Sequence, residues 1–138
     1  MTLATVHLML VTFWLGLLAA ETVLELTARD TASMRTVAAV HRWIDLCFEA
    51  PTAVAVLVTG GILLARAWPA PPLVLVHAAA GALPALVNLL CVAYVLERSQ
   101  AQDDARLRAL TRKVKLTGYG IPLIFVALAI GLGFLEGR

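Results

Sequence analysis

Charge is scarce in this 138-residue chain: Asp, Glu, Lys and Arg together make up 14% of it. A soluble domain carries nearer a quarter. Aromatic residues are few, at 7%, and do not interleave with the basic ones. The formal charge of +2 therefore carries no signature of nucleic-acid binding, and none is expected. Cysteine occurs only as Cys47 and Cys91, with no C-x-x-C pair. Both fall in apolar stretches and are expected to pack as small apolar side chains. The first apolar stretch lacks a basic lead-in and a small-x-small cleavage site, so it reads as a retained helix rather than a cleaved leader.

What the chain has in abundance is apolar surface. Hydrophobic residues make up 61% of it, and the mean hydropathy is +0.88. A domain this small has too little interior to hide that surface from water. A lipid bilayer is the expected solvent. The charges cluster accordingly: eight lie between Glu21 and Glu49, nine between Glu97 and Lys115, and only Arg66, Glu136 and Arg138 fall elsewhere. A membrane span needs about 20 mostly apolar residues. The pattern predicts an all-α, transmembrane four-helix bundle in a single domain, residues 1–138, with spans at 3–27, 40–66, 73–98 and 110–135. Prolines 69, 71 and 72 mark the second loop. Gly118, Gly120 and Pro122 predict a kink in the fourth helix. Nine Lys and Arg lie on the side of the first and third loops, against Arg66 and Arg138 on the other. The positive-inside rule then puts both termini on the non-cytoplasmic side of a bacterial inner membrane.

Polar residues inside spans are costly and therefore informative. His7, Trp14, Glu21 and Glu25 share one stripe of the first helix. His41, Asp45 and Glu49 share one of the second, and His77, Gly81 and Asn88 one of the third. Three polar stripes are best accommodated by turning inward. His7 and His77 fall at similar depth in the outer half and are expected to face each other, an arrangement suited to a haem b iron. Glu21, Glu25, His41, Asp45 and Glu49 form an inner cluster that could hold a divalent or copper ion, relay protons or line a substrate pocket. Facing carboxylates there need a proton, a cation or Arg42 as compensation. The bland alternative leaves Glu25, His41 and Asp45 at the water interface. Arg112, Lys113 and Lys115 either reach lipid headgroups or pair with the inner acids.

The stretch His7-x6-Trp14-x-Gly16 resembles the first helix of the copper resistance protein D-like and protoporphyrinogen oxidase HemJ-like group of four-helix membrane proteins. The segment Arg42-Trp43 through Glu49-Ala50-Pro51 to Thr59-Gly60-Gly61 and Leu63-Leu64 is similar to their second helix. Residues 73–98 and the basic lead-in to the fourth helix are similar in outline. The resemblance implies a b-type haem, a porphyrinogen oxidase-like redox role and electron transfer onward to the respiratory chain. It implies His7 as a haem ligand. Where that group carries a lysine in the third helix, this chain has His77, which departs from the pattern and leaves a bis-histidine haem as the corresponding arrangement. The copper resistance branch implies metal uptake or tolerance instead.

Three functions are therefore expected to compete. In the first, His7 and His77 hold haem, while Glu21, Glu49 or Asn88 handles a proton or orients a tetrapyrrole or quinone. In the second, the inner cluster handles a metal ion for transport or resistance, in a homo-oligomer. In the third, the chain is a non-catalytic subunit of a larger membrane complex.

Overall fold

The computed structural model describes residues 1–136, and every regular element among them is helical. Helix α1 is Leu3–Thr27. Helix α2 runs over Thr31–Arg66, 36 residues, with a π turn at Asp45–Glu49. Helix α3 is Pro72–Ser99. Helix α4 comprises Asp104–Thr117, a 3₁₀ turn at Gly118–Gly120 and Ile121–Glu136. All four are long and apolar enough to cross a membrane. At 1.5 Å per residue, even α1 reaches about 37 Å, more than the roughly 30 Å of a hydrocarbon core.

Two helices start earlier than expected. Helix α2 begins at Thr31, not residue 40, because Asp30 and Ser33 build a capping box: Ser33 N donates to Asp30 Oδ1 at 2.8 Å, and Ser33 Oγ receives the Asp30 N–H at 3.1 Å. Bonding from the Ser33 backbone holds the Asp30 carboxyl below its usual range. Helix α4 begins at Asp104, not residue 110, capped by Asp103, which accepts from Arg106 N at 2.9 Å. That bond likewise holds Asp103 low. Hydropathy marks where a helix becomes apolar, whereas these caps mark where it begins. The irregularity foreseen at Gly118, Gly120 and Pro122 is the 3₁₀ turn.

Neighbours in sequence are neighbours in space, with α3 and α4 closely packed and α1 barely touching α4. One residue from each helix meets at the centre: Trp14, Ala53, Ala85 and Ile124. Two further apolar clusters, Cys91 with Val95 and Val114, and Ala101 with Leu107 and Leu110, hold the base of α4 to α3 and its loop. Cys91 is thus a core residue as expected, while Cys47 is exposed.

The bundle is organised inside out. The buried residues of α1 are Trp14, Glu21 and Glu25, whereas Phe13, Val23 and Leu26 are more than half exposed. In water such an outer surface would be a large apolar patch. In a bilayer it faces lipid tails, and the polar groups find their partners inside. The structure describes a protein suited to multiple passes through a membrane.

Candidate metal centre and adjoining cleft

The inner cluster assembles from three helices. His41, Asp45 and Glu49 come from α2, Glu21 and Glu25 from α1, and Arg98 from α3. Each is at most 7% exposed. The interfacial placement considered for Glu25, His41 and Asp45 is thereby corrected: all three are buried between the helices.

The π turn explains how three residues at spacing four stay on one side. In an α-helix each step of four over-rotates by about 40°, so Glu49 would drift well away from His41. A turn closed by i→i+5 bonds is wider and rotates less per residue. Spanning Asp45 to Glu49, it turns Glu49 back toward the cluster. Such insertions in α-helices are frequent at functional sites.

Glu21, His41, Asp45 and Glu49 each offer one ligand atom, all within 4.8 Å of one another. Ligands on opposite sides of a divalent ion, with bonds of about 2.0–2.6 Å, are about 4–5 Å apart. The cluster therefore has the dimensions of a coordination sphere. His41 Nε2 is 3.4 Å from Glu21 Oε2 and 3.7 Å from Asp45 Oδ1. Glu21 Oε1, both Asp45 oxygens and Glu49 Oε1 are buried with no hydrogen-bond donor in the protein. Buried acceptors are normally satisfied, so these four atoms mark a site with capacity to spare.

Behind the cluster lies a support of different character. His41 Nδ1 donates to Glu25 Oε1 at 2.7 Å. Arg98 grips the same carboxylate with two hydrogen bonds, Nη1 to Oε2 at 3.0 Å and Nη2 to Oε1 at 2.7 Å. Glu25 therefore stands outside the four-residue ligand group, as the partner that orients His41. Arg98 was not singled out from the sequence, because it sits at the end of α3 among loop charges. The structure gives it the compensating role considered for Arg42, Arg112, Lys113 and Lys115. Arg42 is exposed, and Lys113 lies over the Tyr94 ring at 5.0 Å.

Even with the imidazole protonated, the four carboxylates outnumber Arg98 and His41 by two. Removing that imbalance from water is expensive. A divalent cation or protons would supply the missing positive charge.

The cluster borders a cleft of about 300 Å³ that opens between α1 and α4. Glu21 and His41 lie on its wall together with Trp14 and Asn88. Trp14 is 1% and Asn88 7% exposed. Lys115 and Tyr119 also line it. Tyr119, in the 3₁₀ turn, is 79% exposed.

The two remaining histidines turn to neighbouring helices. His7 Nδ1 donates to Thr59 Oγ1 of α2 at 2.8 Å. The direction follows because the Thr59 hydroxyl itself donates to Ala55 O at 2.7 Å. His77 Nδ1 donates to Ala127 O of α4 at 2.8 Å. Each ring packs on a glycine: a Cβ built on Gly60 would lie 3.1 Å from His7 Cε1, and one on Gly131 3.0 Å from His77 Cε1. Neither histidine lines the cleft. Comparison with protein-family models, with curated proteins and with solved structures finds no match for the chain.

Proposed function

We propose that this is a membrane protein whose core takes up a divalent cation, as part of metal transport or resistance. The observation that carries this reading is the posture of His41. One ring nitrogen is anchored to Glu25, and the other faces the carboxylates of Glu21 and Asp45. Metal-binding histidines characteristically donate their second N–H to a carboxylate, which fixes tautomer and ring orientation. Three carboxylates and an imidazole suit a first-row divalent metal better than a copper(I) ion, which favours thiolate and thioether sulfur. Cys47 and Cys91 are not among the ligand group. The protein would supply position and charge, with Glu21 at the wall of the cleft as the point of exchange.

The test is metal content and affinity of the protein purified in mild detergent. About one manganese, zinc or copper(II) ion per chain, lost on chelation and in Asp45→Asn and Glu49→Gln, is the expected result. Failure of all three metals to bind above the level of those variants overturns the assignment. Charge alone places the basic loops in the cytoplasm of a bacterial cell, and cysteine-accessibility labelling of the first loop tests that orientation.

A second reading keeps the b-type haem held by His7 and His77. It is favoured by the Nδ1 bonds of both rings, which put the imidazole lone pair on Nε2, the nitrogen that ligates iron when Nδ1 donates to the protein. Each ring is seated on a glycine of a neighbouring helix, Gly60 for His7 and Gly131 for His77. A Soret band in protein expressed with haem precursor, lost in His7→Ala and His77→Ala, would reverse this preference.

A further inference from the structure

The cleft carries chemistry that a cation site does not use. Trp14 Nε1 and Asn88 Nδ2 are both buried donors without an acceptor in the protein. Both side chains line the cleft, one from α1 and one from α3. Around them the wall is apolar, with Leu18, Pro84, Val114, Ile121 and Ile124. Native interiors seldom leave such groups unsatisfied, and those that remain call for a reason. A pocket that is mostly apolar with a few convergent polar groups is the usual form of a small-molecule site.

The two donors and their surroundings restrict what would bind. N–H groups select an acceptor and repel a cation. Glu21 and Glu25 on the same wall disfavour an anion, and Lys115 there offsets part of their pull on a cation, so neither sign of charge is selected. What remains is an uncharged acceptor oxygen on an apolar body. Access is lateral. The α1–α4 seam is loosely packed, and Leu26 and Tyr119 at the cleft are 68% and 79% exposed, on a surface that faces lipid in the membrane-spanning reading. A molecule dissolved in the bilayer would therefore enter the cleft without crossing water. We infer that the cleft binds a neutral, apolar carbonyl compound from the membrane, its carbonyl oxygen accepting from Trp14 and Asn88. Glu21 lies on the wall of the same cleft, so that occupancy would also cover the route to the inner cluster. This site rests on Trp14 and Asn88 rather than on metal ligands, and it goes beyond the cation reading.

Fluorenone and fluorene test it, because they share a flat apolar frame and differ in the carbonyl. Binding of tritiated fluorenone is measured on the whole chain in lipid nanodiscs, against discs without protein. Chelator treatment beforehand makes the result independent of any metal. One saturable site is expected, with fluorene competing about tenfold or more weakly than unlabelled fluorenone, the scale of one or two hydrogen bonds. Trp14→Phe and Asn88→Leu are each expected to reduce that preference several-fold, and the double variant to erase it. Absence of a saturable site, or equal competition by fluorene, overturns the proposal. That comparison uses the native chain, so it decides the question even if Trp14→Phe destabilises the core. Retention of the full preference in a folded double variant also overturns the assignment to these donors.

Discussion

Arg98 and Glu25 form a two-pronged ion pair, with guanidinium-to-carboxylate distances of 3.0 and 2.7 Å, between α3 and α1. These two helices pack mainly against α2 and α4 rather than against each other. The arginine side chain is fully buried, so the pair joins opposite corners of the bundle in a dry setting. Breaking a buried pair from one side leaves the other charge stranded. Arg98→Met and Glu25→Leu are each expected to destabilise the protein by about 3–5 kcal/mol. The double variant is expected to fall well short of the sum. Arg98→Lys cannot reproduce the fork and should recover only part of the loss. Unfolding of the four proteins in mixed micelles gives the comparison.

Metal affinity separates ligands from their support. Asp45→Asn and Glu49→Gln remove proposed ligands, whereas Glu25→Gln leaves the ligand set intact and alters the orientation of His41. The expected loss for Glu25→Gln is about 10–100-fold in affinity, with larger losses for the other two. Titration calorimetry on the purified variants checks the order. Equal effects from all three would assign Glu25 to the coordination sphere instead.

The same site has a required response to acid. Carboxylate and imidazole bind metal in their deprotonated forms, so protons compete and binding releases them. Apparent affinity should fall as pH is lowered, and metal addition to a weakly buffered sample should acidify it. A pH-independent affinity would exclude coordination by these groups.

Gly60 and Gly131 provide a packing test for the histidines. A methyl group at either position would press on the His7 or His77 ring at 3.1 or 3.0 Å. Overpacking of this kind costs about 1–3 kcal/mol. Gly61→Ala and Gly133→Ala are the controls, because nothing lies within 4 Å of a Cβ at those sites. Thermal unfolding should separate the two pairs of variants.

The cap of α2 gives a pH prediction outside the membrane. Asp30 is held below its usual range by bonding from Ser33. Its folded pKa is depressed, so its contribution is present above the unfolded value and is lost as pH falls through the folded one. Amide exchange at Ser33 should speed up over that acidic interval, relative to the opening rates of the helix centre. Asp30→Asn retains an acceptor for the cap and should flatten the response.

Much of this arrangement can be read from residue order, and the exceptions have physical causes. Four apolar runs predict four helices. Of the stripe His7, Trp14, Glu21 and Glu25, the last three are the buried residues of α1 and His7 is half-buried, because charge inside a span turns away from lipid. Asn88 faces inward for the same reason. The matching depth of Glu21 and Glu49 follows from helix rise, but their approach also needs the π turn at Asp45–Glu49. Arg98 was hidden by its address: at the end of a helix, a charge that reaches water and one that folds back into the bundle look alike in sequence. The π turn was hidden because hydropathy does not report a hydrogen-bond register. The depth of His7 and His77 can be read from the sequence, but their Nδ1 partners, Thr59 and Ala127, cannot, because depth does not specify hydrogen bonds.

The position of Arg98 also bears on biogenesis. Synthesis proceeds from the N-terminus, so α1 and α2 are made before α3. Glu21, Glu25, Asp45 and Glu49 therefore emerge ahead of the only arginine that pairs with them among the described residues. A hairpin of α1 and α2 holds acidic groups with just His41 as a cationic partner. Until α3 delivers its guanidinium, Glu25 lacks its arginine partner. A chain truncated after α2 should be a poor membrane protein despite its hydropathy, and the third helix acts as the step that commits the first two to the lipid.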